Sequence, residues 1–502
     1  MNSSNHVILI VIDDLRADQF NSLLQQGELP YIQKYLADGI RSDSTGCYPG
    51  ITFPAQTSLL TGVYPDSYQA PGGHWVIRDK KIIRNYNTFK ELNTINKELG
   101  TEVPTIFELV KGNTAGIAVS LTRGCSQNFP TKSQIFRLYL WHFIVLRRTF
   151  LYFNEIMRNK ALDYFNKPRK FFKNGEPPRL TVAWFITSDG MLHEYGSDSE
   201  NYLNCLKDID AKIGELIEGK GKRKGLKELG YFNDTTFILT SDHGNYKAKE
   251  WIDIEPYFNK VGLFPLIPKK QDGNFDATFG SLGFFNLRGD SWLEHPTNVQ
   301  LKCYGPQQID LLRILLNIPG VKYLYYREDG NSFEKGKIRI IKKENEELRF
   351  AAIEYQKDKT RYIFDENDEK DVYRYSEDDF ASKMLDEKFH SIQDWLQHTH
   401  HIDFPMIVDQ IPRLFRNPNF CDIMVSTCGE TIFNYEHGIT KNNHIYGHDI
   451  GLHSALTIPL LISGSNIPQK ILPYSKSTDI VPTILKLLGE SIDPKIIGIP
   501  LL

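Results

Sequence analysis

The sequence predicts an α/β protein whose mostly parallel central sheet is covered by helices on both faces and capped by inserted segments. Three observations lead to this prediction. Short apolar runs typical of buried strands alternate with helical patterns along the chain. Polar residues directly follow several of these runs, as they do at the carboxyl edge of a parallel sheet. The chain also has 502 residues, 41% of them hydrophobic, which is enough for a large core.

The predicted elements follow one another in the alternating order of such a sheet. Strands are assigned to short apolar runs, and helices to segments with capping residues and a period of about 3.6 residues. The predicted strands are Val7–Ile12, Gly116–Ser120, Leu180–Ile186, Thr235–Leu239, Asp422–Val425 and Ile458–Ile462. The predicted helices are Pro30–Ala37, Thr52–Thr61, Thr105–Val110, Tyr202–Ile217 and Asp479–Leu488.

Two long segments interrupt this order. Residues 125–175 are aromatic and basic, whereas residues 251–415 combine Pro/Gly loops, a charged run and pairs of strands. Both are interpreted as cap insertions. The sequence therefore predicts a catalytic α/β core formed by residues 1–124, 176–250 and 416–502.

Composition limits the classes of partner and the location. A formal charge of -3 shows no basic excess, so no nucleic-acid polymer is expected as a partner. The six cysteines lack CxxC spacing and fit reduced thiols. Met1–Asn5 contains no basic signal region, so a cytoplasmic location is expected unless a leader has been trimmed. The longest apolar stretch, Leu138–Leu146, is too short to cross a bilayer, and no transmembrane segment is expected. The oligomeric state stays open.

Polar residues cluster at four predicted strand ends. A single Asp in such a place is commonly a helix cap or a turn residue. Carboxylates and imidazoles gathered at one sheet edge would instead repel one another or stay unsatisfied unless cations lay among them, and a mixed His/Asp shell suits zinc. The four groups are Asp13 with Asp14, Asp189 with His193, Asp242 with His243, and the late histidines His444, His448 and His453.

The segment PGITFPAQTSLLTGVYP, residues 49–65, adds a candidate nucleophile. Thr52 precedes Pro54 and a helical pattern, which predicts that its hydroxyl lies at a helix N-terminus. Free N–H groups and the helix dipole favour an anion there, so this is a candidate phosphate site. The alternative is that Thr52 only caps the helix.

Five segments, taken in order, resemble a known family. VILIVIDDLRAD, ITFPAQTSLLTGVYPDS, SDGMLHEYG, LTSDHGN and a His-containing segment before IPLLISG follow the order of the alkaline phosphatase superfamily. The chain most resembles its type I phosphodiesterase and nucleotide pyrophosphatase branch, including phosphonoacetate-hydrolase-like members. The resemblance implies hydrolysis of small phosphodiester or pyrophosphate substrates, with phosphonates as further candidates, through a phospho-threonine at Thr52.

The resemblance also implies two divalent metal ions, expected to be zinc, with manganese as an alternative. Asp13, Asp242 and His243 would bind one ion together with the Thr52 oxygen. The second ion would be bound by Asp189, His193 and a late histidine. His448, in YGHDIG, resembles the phosphodiesterase ligand, whereas His453 has the spacing of the phosphomutase branch. His448 is the preferred ligand and His453 the alternative.

The chain departs from the family pattern at two places. Gly73 stands where the phosphodiesterases usually have an Asn that donates to the phosphate, so His74 is the candidate substrate-binding donor. Asp14 replaces a common Gly, as in sulfatases, but Thr52 and Gln56 do not match the Cys/Ser nucleophile and Arg of that family. A phosphomutase or phosphomonoesterase of the same superfamily, and a catalytically inactive binding protein on this fold, are the alternative functions.

Overall fold

The computed structural model describes residues 4–86, 88, 90–91, 94–135, 151–259, 261–267, 273–345, 347–364, 371–435 and 445–502. Two sequence predictions fall outside these ranges. One concerns the apolar stretch Leu138–Leu146, and the other concerns His444. The remaining predicted site residues are all described.

The strands alternate with helices in the first half of the chain and follow one another more closely in the second. In chain order they are β1 (His6–Ile12), β2 (Ile40–Thr45), β3 (His74–Ile77), β4 (Ile82–Asn85), β5 (Thr114–Ile117), β6 (Gln127–Phe129), β7 (Leu180–Phe185), β8 (Gly219–Lys220), β9 (Arg223–Lys224), β10 (Thr235–Thr240), β11 (Tyr246–Lys247), β12 (Glu250–Asp253), β13 (Phe275–Phe279), β14 (Leu282–Leu287), β15 (Tyr323–Arg327), β16 (Lys335–Glu344), β17 (Glu347–Gln356), β18 (Lys359–Phe364), β19 (His390–Ser391), β20 (Ile423–Ser426), β21 (Thr431–Asn434), β22 (Tyr446–Gly447), β23 (Thr457–Ser463), β24 (Lys470–Ile471) and β25 (Ser475–Lys476).

The α-helices vary from one turn to five turns in length. They are α1 (Ala17–Gln25), α2 (Pro30–Tyr35), α3 (Thr52–Thr61), α4 (Ile95–Glu98), α5 (Ile106–Leu109), α6 (Tyr152–Asn166), α7 (Pro168–Phe171), α8 (Thr187–Tyr195), α9 (Glu200–Glu218), α10 (Glu255–Asn259), α11 (Asn298–Lys302), α12 (Leu311–Leu316), α13 (Ile392–Thr399), α14 (Ile407–Arg416), α15 (His453–Leu456) and α16 (Ile480–Leu487).

The main sheet confirms the predicted fold class. Within the described ranges its order is β24-β2-β23-β10-β1-β7-β5-β6, and β25 also pairs with β2. β1 lies at the centre and pairs in parallel with β10 and with β7. β23 is antiparallel to both of its neighbours, β10 and β2. The carboxyl ends of β2, β10, β1 and β7 therefore meet at one edge of the sheet.

Alternate residues of β1 pack into two different core layers, because successive strand side chains point to opposite faces. Ile8, Ile10 and Ile12 contact one cluster, to which α1, α6 and α9 contribute. Val7, Leu9 and Val11 contact a second cluster, which includes residues of α3, α5 and α16. Because both faces are covered, β1 is a continuous apolar run, and this continuity is the property that allowed its prediction.

A second, antiparallel sheet lies in the other large part of the chain. Within the described ranges its order is β13-β14-β20-β15-β16-β17-β18-β19. Residues of α13 and α14 pack on one of its faces, and residues of α12 pack on the other. The sheet thus has its own core.

The two segments interpreted as caps are used differently by the fold. From residues 125–175, β6 forms the edge strand of the main sheet next to β5, and α6 packs in the core layer beside α9. β20, predicted as a strand of the segment 416–502, lies between β14 and β15 of the second sheet. An apolar run as short as Ile423–Ser426 fits either sheet, so local sequence does not determine its partner.

Two further findings concern helices and cysteines. Among the described residues, no helix combines the length and the apolar character needed to cross a membrane. All six cysteines lie in the described ranges, and none forms a disulfide.

Candidate active site

The predicted acidic residues meet at the carboxyl edge of the main sheet. Asp13 immediately follows β1, and Asp242 comes two residues after β10. Asp189 is the third residue of α8, which begins directly beyond β7. Because β10, β1 and β7 are adjacent and parallel, these three carboxylates converge although they are far apart in sequence.

A first cluster surrounds the imidazole of His243. Its Nε2 atom lies 3.2 Å from Asp242 Oδ2 and 3.7 Å from Asp13 Oδ1. The same Nε2 lies 3.3 Å from the hydroxyl oxygen of Thr52. Asp13, Asp242 and His243 are all buried, and their ligand atoms lie within 4.8 Å of one another, as ligands of one ion do.

Hydrogen bonds fix the orientation of both carboxylates in this cluster. The indole N–H of Trp184 donates to Asp13 Oδ2 over 3.0 Å. The backbone N–H groups of Asp14 and His243 donate to Asp242 Oδ1 over 3.2 and 3.0 Å. Asp13 Oδ1 and Asp242 Oδ2 accept no hydrogen bond from any described residue. One buried oxygen of each carboxylate is therefore held toward His243 without a donor, which is costly unless a cation binds it.

A second cluster consists of Asp189, His193 and His448. Asp189 and His193 are one turn apart on α8, and His193 Nε2 lies 3.1 Å from Asp189 Oδ1. His448 follows β22, and its Nε2 lies 3.8 Å from the same oxygen. The His448 ring stacks on the His243 ring with centroids 3.9 Å apart, so the two clusters are adjacent.

All three histidines are tied to backbone carbonyls through Nδ1. His193 Nδ1 lies 3.2 Å from the carbonyl oxygen of Tyr446, and His448 Nδ1 lies 2.5 Å from that of Gly50. His243 Nδ1 lies 3.2 Å from the carbonyl oxygen of Gly244. A proton on each Nδ1 satisfies these carbonyls and leaves each Nε2 as a lone-pair donor, which is the usual arrangement of metal-binding histidines.

Burial and mutual repulsion shift the pKa values of these groups. Burial, then the nearby Asp242 and Asp189 charges, raises the pKa of Asp13 well above its usual value. Burial raises the pKa of Asp242 to about 7. Burial also lowers the pKa values of His243 and His448 to about 4 each, so both imidazoles are neutral at pH 7. A divalent cation stabilises ionised carboxylates and binds neutral imidazoles. A cation among these groups would therefore remove the cost of ionising the buried carboxylates.

Thr52 is the first residue of α3, and its hydroxyl faces the first cluster. The N–H groups of a first helical turn have no partner within the helix, and Pro54 has no N–H to leave unpaired there. Gly50 precedes this turn and approaches His448 closely, because a Cβ on Gly50 would lie 2.6 Å from the His448 carbonyl oxygen. The segment that leads into Thr52 is thus packed against His448.

The alternative late histidine lies elsewhere. His453 is the first residue of α15, and its backbone N–H lies 3.3 Å from a carboxylate oxygen of Asp403. His453 belongs to neither of the two candidate metal-ligand groups found among the described residues. The structure brings His448, and not His453, together with Asp189 and His193.

A cavity of about 360 Å³ adjoins the second cluster and the two neighbours of Thr52 in the sequence. Ile51, His193 and His448 belong to its lining. No lysine or arginine belongs to the described residues that line it. The lining also contains aromatic side chains from both halves of the chain, namely Phe53, Trp75, Tyr246, Phe279, Phe284, Phe420 and Tyr446.

The structure explains the departure at Gly73. A Cβ on Gly73 would lie 2.8 Å from the Phe53 ring, so a larger side chain would require that ring to move. The neighbouring His74 lines the cavity, and its Nε2 lies 2.9 Å from Asp276 Oδ2.

Sequence reasoning missed several contributors to this site. Trp184 belongs to a correctly predicted strand, but nothing in the local pattern indicates that its indole reaches Asp13. Asp276 lies in the segment interpreted as a cap, 202 residues from His74. The carbonyl groups of Gly50 and Tyr446 leave no signal in a sequence, because every residue has one.

The chain belongs to the type I phosphodiesterase/nucleotide pyrophosphatase family, because the model of that family matches residues 7–303. This match confirms the resemblance seen in the motifs. Human ectonucleotide pyrophosphatase/phosphodiesterase family member 5 is 24% identical over 290 residues, which cover 55% of this chain and 54% of that protein. An uncharacterized pyrophosphatase/phosphodiesterase of Schizosaccharomyces pombe is 26% identical over 261 residues, covering 49% of this chain and 47% of that one. The chain thus spans about half the length of these relatives.

Solved structures share the fold over nearly the whole chain. Murine ectonucleotide pyrophosphatase/phosphodiesterase 5 superposes with a TM-score of 0.59 at 12% identity, covering 97% of this chain and 96% of that one. The human protein gives a TM-score of 0.57 at 14% identity with the same coverage. An inactive threonine-to-alanine variant of the murine protein in complex with AMP gives 0.58.

Proposed function

We propose that this chain is a metal-dependent hydrolase of phosphodiester and pyrophosphate bonds that acts through a phospho-threonine at Thr52, with phosphonates as further candidate substrates. The observation that supports it most is the convergence of two ligand-like clusters beside the Thr52 hydroxyl. Family membership supports the same class of reaction. The arrangement provides a nucleophile, an anion-favouring helix start and a place for positive charge close to one another.

The donor sets fit two divalent cations. One set would be Asp13, Asp242 and His243, with Thr52, and the other would be Asp189, His193 and His448. Mixed imidazole and carboxylate ligands suit zinc, and manganese is the alternative. Bound divalent cations supply Lewis acidity, which lowers the pKa of a nearby hydroxyl and neutralises charge on phosphoryl oxygens.

In the first step, the Thr52 oxygen attacks phosphorus in line and forms an Oγ1–P bond. The bond from phosphorus to the leaving oxygen breaks, and that oxygen leaves with the electron pair and takes up a proton from solvent. The Thr52 proton passes to solvent. The start of α3 holds Oγ1 in place, so no large movement of the backbone is needed.

In the second step, water attacks the phosphorus of phospho-Thr52. The Oγ1–P bond breaks, Thr52 recovers its proton, and the phosphoryl group leaves as a phosphate monoester when the substrate was a diester. His193 and His448 line the cavity, and together with Asp189 they would hold the cation that neutralises charge on the phosphoryl oxygens.

The cavity supports a substrate with one aromatic or apolar part and few extra charges. Its described lining contains several aromatic side chains and no lysine or arginine, so a nucleotide, for which AMP bound to the murine relative is a precedent, is one fitting candidate. His74 is the proposed substrate-binding donor in this lining. A phosphomutase, which must bind a sugar phosphate, finds no additional cationic side chain here.

Metal analysis combined with ester hydrolysis tests the proposal. We expect close to two zinc ions per chain and cleavage of bis-p-nitrophenyl phosphate that exceeds cleavage of p-nitrophenyl phosphate. Chelation should abolish both activities, and added zinc or manganese should restore them. Preference for the monoester would favour a phosphomonoesterase. Absence of both metal and turnover would favour a binding protein and overturn the proposal.

The effect of zinc on stability should increase with pH. Asp242, with its pKa raised to about 7, binds its proton more tightly in the folded state than in the unfolded chain. Its contribution to the free energy of unfolding is therefore complete below pH 3.8, the usual pKa of an Asp, and is lost as the pH rises through about 7. The lowered pKa values of His243 and His448 affect stability only below about pH 6.5.

A cation replaces the proton at Asp242, so the two compete. We expect zinc to raise the thermal unfolding midpoint more at pH 8 than at pH 6, measured by differential scanning fluorimetry. The Asp242→Asn variant serves as the control, since its side chain cannot be deprotonated at either pH. A zinc effect that is equal at both pH values in the unmodified chain would contradict this assignment of Asp242.

A further inference from the structure

A histidine and an aspartate from different sheets form a pair at the wall of the cavity. His74 begins β3, in a hairpin near α3, whereas Asp276 lies on β13 of the second sheet. His74 Nε2 is 2.9 Å from Asp276 Oδ2, and the two side chains are only 9% and 10% exposed. This contact uses one nitrogen of the ring and fixes the direction in which the other nitrogen points.

The second nitrogen, His74 Nδ1, is buried and has no hydrogen-bond partner among the described residues. Buried polar atoms are rarely left unpaired, since each costs roughly 1–3 kcal/mol. His74 also lines the cavity next to Phe53, the residue that follows Thr52. Because His74 belongs to the cavity lining, a bound substrate is a candidate partner for this nitrogen.

The acidic and basic side chains of the described lining are histidines and one carboxylate, Asp449, which accepts hydrogen bonds from the Tyr246 hydroxyl and the Leu282 N–H. Apart from the proposed metal ligands His193 and His448, His74 is the only described residue of the lining whose side chain can carry a positive charge. With a proton on each ring nitrogen, His74 donates from Nε2 to the Asp276 carboxylate and from Nδ1 to a second acceptor. A hydrogen bond of this charged kind suits an anionic oxygen.

We propose that His74, oriented by Asp276, donates from Nδ1 to a non-bridging oxygen of the substrate's phosphoryl group. The inference deepens the proposed function and rests on it, because it makes the second sheet part of phosphate recognition. His74 contacts the substrate, and Asp276 is a positioning residue. The Phe53 ring blocks a longer side chain at Gly73, so the donor comes from the next position along the chain.

Two conservative variants test the roles of the two ring nitrogens one at a time. In His74→Asn, the amide nitrogen can take the place of Nδ1, whereas the contact with Asp276 is lost. In His74→Gln, the longer side chain can reach Asp276 in place of Nε2 but leaves no donor at Nδ1. We therefore expect His74→Asn to keep phosphate binding, and His74→Gln to keep the stability of the unmodified chain.

The experiment is titration of the zinc-loaded chain with inorganic phosphate by isothermal calorimetry. We expect His74→Ala and His74→Gln to weaken binding roughly ten- to a hundred-fold, the range for a hydrogen bond to a charged group. His74→Asn should bind within about five-fold of the unmodified chain on the same grounds. Asp276→Asn should weaken binding less than His74→Ala, because it disturbs orientation only. Zinc content should stay unchanged in all four variants.

A matched control is available at the surface. His401 Nε2 lies 3.1 Å from Asp378 Oδ2, so His401→Ala removes a similar His–Asp pair away from the cavity. It should leave phosphate binding unchanged, and unfolding midpoints of all variants show whether each is folded.

Three results would overturn the inference. They are equal phosphate affinity in all His74 variants, recovery of binding by Gln rather than Asn, and absence of phosphate binding by the unmodified zinc-loaded chain. Failure of the proposed function has a different signature. In that case the unmodified chain would not hydrolyse bis-p-nitrophenyl phosphate, even though phosphate binding still depended on His74.

Discussion

Thr52→Ala is expected to lower turnover of bis-p-nitrophenyl phosphate by at least roughly a thousand-fold, because no oxygen remains to form the bond to phosphorus. The fold should persist, since the change removes only a small, half-buried hydroxyl and a methyl group. Zinc content should remain at one ion or more per chain, because the variant keeps all three side chains of each cluster. Steady-state kinetics and metal analysis of the purified variant measure both effects.

Thr61→Ala is the matched control, since Thr61 belongs to the same helix and its hydroxyl bonds the carbonyl of Thr57 over 2.7 Å. That change should cost about 1 kcal/mol of stability and leave the rate nearly unchanged. Thr52→Ser should retain measurable turnover, because it keeps the oxygen. If Thr52→Ala hydrolyses the diester at the normal rate, Thr52 is not the nucleophile.

His448→Ala should remove one of the two zinc ions and lower the rate at least roughly a hundred-fold, because the second cluster would keep only Asp189 and His193. The variant should still fold, since the His448 side chain is only half-buried and its ring contacts are those with His243 and His193. Metal content determined by mass spectrometry, together with diester kinetics at saturating zinc, tests this expectation.

His453→Ala distinguishes between the two late histidines. Its side chain lies near acidic surface residues and outside both clusters, so two zinc ions and a rate within about twofold are expected. The opposite pattern, with metal lost from the His453 variant and kept in the His448 variant, would assign the ligand to His453.

The central strands and the acidic residues that follow them could be predicted from the sequence, for a local physical reason. A strand buried on both faces must be a continuous apolar run, and the polar residue after it must lie at the edge of the sheet. Val7–Ile12 followed by Asp13, and Thr235–Leu239 followed by Asp242, satisfy this rule within a few residues. Their convergence then follows from parallel pairing alone.

Contacts between distant segments could not be predicted in this way. Trp184 reaches Asp13 across 171 residues, and Asp276 reaches His74 across 202 residues. Local periodicity determines which face a side chain occupies, but not which neighbour it finds there. The short strand at Ile423–Ser426 shows the same limit, because its partners in the second sheet are set by packing over the whole chain.

The cavity wall has a consequence for how this protein could diversify. Asp13, Asp242 and Thr52 are attached to the main sheet, whereas Phe279 and Phe284 belong to the second sheet. Substitutions at these two phenylalanines can therefore reshape the cavity without changing the side chains at the edge of the main sheet. Asp276 lies on the same second sheet and contacts His74, so the positions of that sheet are not equally free to vary.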